Sequence, residues 1–293
     1  MLGTLIKKII YNSYINFLIR NICYPFRFFL PDSLRIPPSG ILQLKVGSKK
    51  KLKIYTNPTS YIAKQLFWDG VDNYEFTPIF KKIINSCNTF IDIGANFGYY
   101  SLLASKLNSS IHVHAFEPSP GPLKYLKDNI AINKLHEQIT VYELALSDST
   151  GQVNFNIVKN KKFPQFLNLS GEHNAGSKQL ANSTSIQVDS TSLDLLHQSK
   201  KIQSVDLIKI DVEGAENFVI KGGMMLFKKN KPVIICEILS QENAVFIENK
   251  LREIGYEVYF YLNNKLVKMD SIVVEKLKKK DFFFIHPSNN ILE

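Results

Sequence analysis

Short apolar runs alternate with helix-forming stretches from residue 89 onward, and this pattern predicts the fold class. The runs typical of strands buried on both faces are 89–93, 111–116, 139–144, 205–210 and 232–238. Helices are predicted in the intervals and after the last run, at 98–107, 119–133, 214–228 and 241–254. Strands and helices that alternate at this spacing predict an α/β fold, in which a parallel sheet carries helices on both faces.

The alternation fails between residues 151 and 190, where the chain becomes polar. The segments 153–158 and 185–188 still have the composition of strands. The loop between them, 159–183, is rich in Lys, Asn and Ser. A long polar insertion of this kind in an enzyme is expected to face the substrate as a lid.

A different pattern precedes the alternating region. The apolar runs 41–46 and 52–55 flank Gly-Ser-Lys-Lys-Lys and predict a hairpin, and helices are expected over 58–67 and 76–85. Before them, three prolines in 31–40 indicate a linker.

The chain therefore divides into three parts. Residues 1–40 form a basic and apolar extension with a linker, 41–88 form a hairpin with helices, and 89–288 form the main domain with its 151–190 insertion. Two more strands, 255–261 and 282–286, are predicted near the end of that domain.

Positive charge is concentrated at the start of the chain. Residues 1–53 have ten basic side chains and one acidic one, Asp32, so they carry +9 of the formal net charge of +10. The rest is nearly neutral, which makes nucleic acid an unfavoured partner, because nucleic-acid enzymes spread positive charge around their clefts. The basic extension instead favours docking or contact with a membrane surface.

Residues 1–30 mix apolar, aromatic and basic side chains. They contain no run of about 18 uncharged apolar residues, and no small-residue cleavage site follows an apolar core, so we expect neither a spanning helix nor a secretory signal. Two interpretations stay open: a basic helix lying in a membrane interface, or a helix packed on the body with its lysines in water. Cys23, Cys87 and Cys236 are few and far apart, which fits a reducing compartment. We therefore expect a cytoplasmic location, with peripheral contact at the inner face of the membrane under the first interpretation.

The segment 89–98 reads as a buried strand, a glycine turn and the start of a helix. Gly94 and Gly98 would let the backbone approach a ligand, Asn96 lies in the turn between them, and Asp92 lies at its lip. The spacing is not that of nicotinamide-binding proteins, and no Lys-Ser/Thr pair marks a phosphate loop. A nucleoside without phosphate fits, with S-adenosylmethionine as the obvious candidate. The alternative is an ordinary strand–turn–helix. If the cofactor interpretation holds, alanine at Gly94 should weaken cofactor binding before it unfolds the domain.

The ends of the next two strands offer further cofactor contacts, because ligands of parallel sheets bind at the carboxyl ends of the strands. Glu117, followed by Pro118, is placed to accept hydrogen bonds from both hydroxyls of a ribose. Ala145 and Leu146 suit the edge of an adenine. Asp148 is included in the candidate cofactor site, although turn formation before Gly151 also accounts for it.

Acidic residues follow the fourth and fifth strands. Asp211, Glu213 and Glu216 come after one, and Glu237 after the other. Buried acids are costly, so this clustering indicates chemistry. Asp211 is the first candidate for a general base, with Glu213 and Glu237 behind it, since neighbouring carboxylates raise one another's pKa. The same acids could hold a divalent metal ion, although no residue is assigned as a ligand. Glu216 better fits the start of a helix.

Five of these segments together resemble the FkbM family of S-adenosylmethionine-dependent methyltransferases. They are 90–101, 114–120, 145–148, 206–216 and 232–237, and the resemblance covers about residues 70–260. It implies the Rossmann-like class I methyltransferase fold, a mostly parallel seven-stranded sheet whose last strand is antiparallel. It also implies O-methylation of a hydroxyl, commonly on a sugar or glycan or on a related secondary metabolite.

Two other functions stay open at this point. A nucleic-acid methyltransferase of the amino-group type has an Asn/Asp-Pro-Pro-aromatic motif after the fourth strand, where this chain has Asp-Val-Glu-Gly at 211–214. A non-catalytic binding module with the same fold is the other alternative, and the intact glycine turn and acids count against it.

Overall fold

The computed structural model describes residues 2–171, 183–273 and 280–290. The helices are α1 Leu2–Ile10, α2 Ser13–Cys23, α3 Tyr61–Trp68, α4 Thr77–Ile84, α5 Tyr99–Leu107, α6 Pro120–Asn133, α7 Leu193–Gln198, α8 Glu216–Lys221, α9 Met224–Asn230 and α10 Gln241–Arg252. The strands are β1 Gly40–Lys45, β2 Lys51–Thr56, β3 Thr89–Ile93, β4 His112–Phe116, β5 Ile139–Tyr142, β6 Ala145–Leu146, β7 Gly151–Val158, β8 Ser183–Thr191, β9 Leu207–Ile210, β10 Val233–Glu237, β11 Glu257–Leu262, β12 Lys265–Met269 and β13 Asp281–Ile285.

The central sheet has eight strands in the order β12-β11-β13-β10-β9-β3-β4-β5. From β10 to β5 the strands are parallel, and β13 runs antiparallel to both of its neighbours. This topology confirms the predicted fold class, a mostly parallel Rossmann-like sheet with an antiparallel last strand. The central strands bury both faces, because side chains alternate between two apolar cores. Phe90 and Leu207 pack on one side of the sheet, and Ile91 and Ile208 pack on the other.

The predicted number of seven strands was wrong by one, because β12 extends the sheet beyond β11. Asn263 and Asn264 both have positive φ, of 50° and 63°, and they close a two-residue hairpin between these strands. Asn tolerates this conformation better than most residues, so such a turn returns the chain directly into a new strand. β12 lies at the edge of the sheet and carries Lys265 and Lys268. Its sequence lacks a clear apolar run because edge strands often carry lysine, so the hydrophobic pattern did not predict it.

The helix predicted over 214–228 is two helices, α8 and α9, and this prediction was also wrong. The chain breaks at Gly222 and Gly223, where the packing leaves no room for side chains. A Cβ atom on Gly222 would lie 2.1 Å from the carbonyl oxygen of Ser147. The break therefore lets α8 approach the β6 end closely. The first helical residue is Glu216, two positions later than predicted.

The insertion and the chain start have the predicted strands. β7 and β8 pair antiparallel, and β6 joins β8 to form a three-stranded sheet. The proposed lid, 159–183, lies partly outside the described residues. Within the described parts of the chain, no helix combines the length and the hydropathy that crossing a membrane requires.

The predicted hairpin near the chain start is formed by β1 and β2. It is fixed to the domain by α6, whose Asn129 and Asn133 accept hydrogen bonds from the backbone N–H groups of Tyr55 and Lys53 at 2.6 and 3.0 Å. The central sheet does not pair with this hairpin, so the two asparagine side chains supply acceptors for N–H groups along the edge of β2.

Candidate active site

A cavity of about 280 Å³ opens at the carboxyl ends of β3, β4, β9 and β10. Ligands of open parallel sheets bind in this place. Ten of the twelve predicted site residues line it, and they are Asp92, Gly94, Asn96, Glu117, Pro118, Ala145, Leu146, Asp211, Glu213 and Glu237.

Gly98 and Asp148 are the two predicted residues that the structure does not bring to the cavity. Gly98 precedes α5 with φ of 93°, and a Cβ atom there would lie 2.5 Å from Leu126, so its role is helix packing. Asp148 forms an ion pair with Lys221 at 2.7 Å, which lowers the pKa of this carboxyl. The turn interpretation of Asp148 therefore agrees better with its position.

The glycine turn is held in place by the neighbouring strand ends. The backbone N–H groups of Gly94 and Ala95 both donate to the carbonyl oxygen of Phe116, at 3.0 Å each. Gly94 has φ of 74°, and a Cβ atom there would lie 1.8 Å from the carbonyl oxygen of Asp211. Glycine is required at this position by the close approach of β9, before any ligand is considered.

Glu117 is fixed by two backbone donors. One carboxylate oxygen accepts from the N–H of Asn96 at 2.7 Å, and the other accepts from the N–H of Ser119 at 2.8 Å. Burial raises the pKa of Glu117 to about 7, against these two hydrogen bonds, which lower it. Each carboxylate oxygen can accept more than one hydrogen bond, so the fixed carboxylate can still accept hydrogen bonds from the two hydroxyl groups of a ribose.

Asp92 is almost fully buried beneath the turn. One of its carboxylate oxygens accepts from the hydroxyl and the N–H of Ser101, at 2.6 and 3.1 Å. The other has no hydrogen-bond partner among the described residues. Burial raises the pKa of Asp92, and the ammonium of Lys209 opposes this shift. The unpartnered oxygen is itself buried, so it is an unsatisfied acceptor beneath the glycine turn.

One wall of the cavity is apolar. Leu144, Ala145 and Leu146 form it together with Phe155 of the insertion and Phe116 of β4. Apolar surface of this kind fits an aromatic base, and it lies beside Glu117, which follows Phe116.

The acidic wall of the cavity is formed by the residues at the carboxyl ends of β9 and β10. Asp211 forms an ion pair with the buried Lys209 at 2.8 Å. Burial raises the pKa of Glu237 to about 10, and the carboxylates of Asp211 and Asp281 add to the shift, so Glu237 holds a proton at neutral pH. A carboxylate and a carboxylic acid side by side can accept and return a proton.

Asp211, Glu213 and Glu237 also offer oxygens within 4.8 Å of one another. Carboxylate oxygens are the donors that Mg²⁺, Ca²⁺ and Mn²⁺ prefer, so the donor set fits a hard divalent ion. Such an ion would lower the pKa of a coordinated hydroxyl.

Glu75 joins this site although sequence analysis did not predict it. It accepts a hydrogen bond from the hydroxyl of Tyr100 at 2.9 Å, and burial raises its pKa. Glu75, Asn96 and Glu213 all line the cavity with positive φ, of 41°, 52° and 55°. Strained backbone concentrates at functional sites. Only the tertiary structure brings Glu75 to β9, so no local signal could have found it.

Acidic side chains outnumber basic ones around the cavity. Six carboxyl groups line it against one buried lysine, Lys209, among the described residues, and the acids are Glu75, Asp92, Glu117, Asp211, Glu213 and Glu237. Burial raises the pKa of several of these carboxyl groups, so they share protons, and the carboxylates that remain ionised favour a cation over a phosphate.

The mouth of the cavity is formed by α3 and by the described start of the insertion loop. Tyr61 and Gln65 line it from one side, and Ser170 and Gly171 line it from the other. A Cβ atom on Gly171 would lie 3.4 Å from a carboxylate oxygen of Glu213, so the loop reaches the acidic wall.

Comparison with known proteins agrees with this geometry. The methyltransferase FkbM domain model matches residues 92–258. The chain is 26% identical over 202 residues to methyltransferase sdnD of Sordaria araneosa, with 58% of this chain and 78% of sdnD covered. It is 27% identical over 158 residues to 2-O-methyltransferase NoeI of Sinorhizobium fredii, with 52% and 63% covered.

Hexuronic acid methyltransferase AglP of Haloferax volcanii is 27% identical over 131 residues, with 45% of this chain and 48% of AglP covered. The chain thus spans about half of AglP's length. The domain match covers more than half of this chain and includes the carboxyl end of β3 and all of β4, β9 and β10, whose ends form the cavity. The chain belongs to the FkbM methyltransferase family and is an enzyme of the methyl-transferring class.

Proposed function

We propose that this enzyme transfers the methyl group of S-adenosylmethionine to a hydroxyl of a sugar, a glycan or a related secondary metabolite. The observation that carries the proposal is that Glu117 and the acidic wall lie in the same cavity. A fixed carboxylate beside an apolar wall suits a nucleoside, and the remaining acids suit a positive charge and repel phosphate. Nicotinamide dinucleotides and nucleic acid, which carry phosphate, fit the same cavity poorly.

Each part of the cofactor has residues that would hold it. Glu117 would accept from the ribose hydroxyls, and Ala145 and Leu146 would contact the adenine. The turn at Gly94 lies where the methionine portion would bind, and Asp92 supports the turn from beneath. Bound there, S-adenosylmethionine supplies an electrophilic methyl group on a positively charged sulfur.

The chain's own residues would position and deprotonate the acceptor. As the acceptor oxygen forms its bond to the methyl carbon and the carbon–sulfur bond breaks, the hydroxyl proton must leave. Asp211 is the proposed proton acceptor, because it is a carboxylate paired with Lys209 at the cavity wall. Glu237 already holds a proton, so it is assigned to orient Asp211 through the hydrogen bond between them. Glu213 would contact the acceptor at the mouth.

The acceptor class is supported by the relatives' names, which include a 2-O-methyltransferase and a hexuronic acid methyltransferase. It also agrees with the polar mouth formed by Gln65, Ser170 and Glu213, since sugar hydroxyls need polar partners.

Two measurements test the proposal. S-adenosylhomocysteine at saturating concentration should raise the melting temperature by about 5 °C or more, and NAD should not. Transfer of labelled methyl from S-adenosylmethionine to glycosides should then give an alkali-stable ether. An alkali-labile product would indicate methyl esterification of a carboxyl group and would contradict the hydroxyl acceptor. Absence of stabilisation by S-adenosylhomocysteine would contradict the cofactor.

A further inference from the structure

Helix α2 is oriented opposite to an ordinary amphipathic helix on a soluble domain. Its buried side chains are the polar Asn16 and Arg20, which face the body. Its apolar side chains face outward, with Phe17 52%, Leu18 59% and Ile22 69% exposed. Helices normally bury their apolar stripe against the core, so this arrangement leaves an apolar face without a partner among the described residues.

The orientation is held by a set of hydrogen bonds. The guanidinium of Arg20 donates to the side chain of Asn16 at 2.9 Å, to the carbonyl oxygen of Ser39 at 3.0 Å and to that of Ile41 at 2.7 Å. Asn16 accepts in turn from the N–H of Ser39 at 2.8 Å. Burial lowers the pKa of Arg20 to about 10. A buried charge is costly, and here it fixes the helix with its apolar face turned out.

The exposed apolar face continues past the helix. Residues 6–34 contain eleven of the twenty-one large hydrophobic side chains that are exposed in the described chain. Phe28 and Phe29 are among them, 78% and 87% exposed. An exposed apolar patch of this size marks an interaction surface.

Basic side chains border this face. Lys8 is exposed on α1, and the guanidinium of Arg27 lies over the rings of Tyr24 and Phe28, 4.4 and 4.3 Å from their centroids. The only acid within residues 1–53, Asp32, is paired with Lys64 at 2.8 Å. The face is therefore apolar and aromatic with a positive rim.

We propose that residues 6–34 form a docking surface for an anionic phospholipid bilayer. Aromatic and aliphatic side chains beside lysine and arginine are the composition of helices that lie in the membrane interface, with the apolar face in the acyl boundary and the cations on the headgroups. A second copy of the chain is a poorer partner, because two such surfaces, each basic with a single acid that is already paired, would repel each other.

The docking surface contacts both sides of the cavity mouth. On one side, Tyr24 packs on Phe67 of α3, with ring centroids 5.1 Å apart, and α3 also supplies Tyr61 to the mouth. On the other, the ring of Tyr11 meets Phe163 edge-on at 4.9 Å, in the loop that continues to Ser170. Docking would therefore bring the mouth close to the bilayer. The meaning of this placement for catalysis rests on the proposed function, whereas docking itself does not.

Vesicle co-sedimentation of the full chain tests the proposal without any assay of activity. Vesicles of phosphatidylcholine with phosphatidylglycerol should pellet the protein at low salt, and phosphatidylcholine alone should pellet much less. The variant Phe17→Ser/Leu18→Ser/Ile22→Ser should bind at least about tenfold more weakly. Its melting temperature should stay unchanged, because the three side chains are exposed. Lys8→Glu should weaken binding to the anionic vesicles alone.

The matched control is Leu262→Ser/Val267→Ser on β11 and β12, whose side chains are 52% and 47% exposed at the edge of the central sheet. It should leave vesicle binding unchanged. Equal binding by the triple variant and the native chain would overturn the proposal. So would a native dimer in sedimentation velocity that the triple variant abolishes while neither protein binds vesicles, since the partner would then be a second copy.

Discussion

The carbonyl oxygen of Asp211 lies so close to Gly94 that a Cβ atom on Gly94 would be 1.8 Å from it. The end of β9 therefore presses directly on the glycine turn, and the turn also positions Glu117 through the N–H of Asn96. The sequence led us to expect that alanine at Gly94 weakens cofactor binding before it unfolds the domain, and this contact does not fit that expectation. We predict instead that Gly94→Ala loses about 2–4 kcal/mol of unfolding free energy and S-adenosylhomocysteine affinity together.

Gly70→Ala separates backbone strain from this clash. Gly70 also has positive φ, of 91°, but nothing lies within 4 Å of the position of its Cβ. The Gly70→Ala variant should lose only about 1–2 kcal/mol of unfolding free energy, measured by urea unfolding. Its affinity for S-adenosylhomocysteine, measured by calorimetry, should stay unchanged. Equal losses in the two variants would show that the approach of Asp211 to Gly94 is unimportant.

The sequence predicted those parts of the fold that depend on local pattern. Strands buried on both faces are apolar runs, so the ends of β3, β4, β9 and β10 and the acids that follow them could be located. Non-local contacts could not be predicted. The requirement for glycine at Gly94 comes from Asp211, more than a hundred residues away, and the helix break at Gly222 comes from Ser147. Glu75 lies in an irregular segment whose only link to the site is tertiary packing.

The pKa of Glu117 predicts how cofactor binding depends on pH. Burial raises this pKa to about 7, and only the ionised carboxylate can accept from both ribose hydroxyls. The affinity for S-adenosylhomocysteine should therefore rise about tenfold between about pH 6 and about pH 8. Calorimetric titrations across this range give the measurement. Glu117→Gln, which does not ionise, should bind weakly with a flat profile, and a rise that persists in this variant would assign the titration to another group.

The same pKa has a consequence for stability. A carboxyl whose folded pKa is raised from 4.5 to about 7 stabilises the fold fully below about pH 4.5, and this contribution is lost as the pH rises through about 7. The cofactor-free protein should therefore lose about 2–3 kcal/mol on this account between about pH 5 and about pH 8. Urea unfolding of the native chain and of Glu117→Gln measures the difference. Parallel pH profiles would contradict the buried titration.

Asp211 and Glu237 should respond differently to removal of their charge. Asp211→Asn should reduce turnover by about 100-fold or more while S-adenosylhomocysteine still binds, because the proposed proton acceptor is lost. Glu237 already holds a proton, so Glu237→Gln keeps a hydrogen-bond donor and should lose only about tenfold or less. Single-turnover rates with labelled cofactor measure both.

A metal site would change the expected effects of the Asp211 and Glu237 variants on turnover. If Asp211, Glu213 and Glu237 acted as a divalent-ion site, both amide variants would lose activity similarly, and chelation would abolish turnover of the native enzyme until Mg²⁺ or Mn²⁺ was restored. Chelator-resistant turnover together with a mild Glu237→Gln phenotype supports direct proton transfer to Asp211.

Glu75 should contribute to the preference for a positively charged cofactor. Glu75 is half-buried near Lys209 and Asp211, and whenever its carboxyl is ionised it adds negative potential at the cavity. Glu75→Gln should therefore weaken S-adenosylmethionine about threefold to tenfold more than the neutral S-adenosylhomocysteine. Competition binding gives both affinities. The control is Glu248→Gln, which removes a buried acid paired with Arg252 outside the cavity and should lower stability without changing the ratio. An equal change of the ratio in both variants would mean that Glu75 acts on the fold and not on the bound charge.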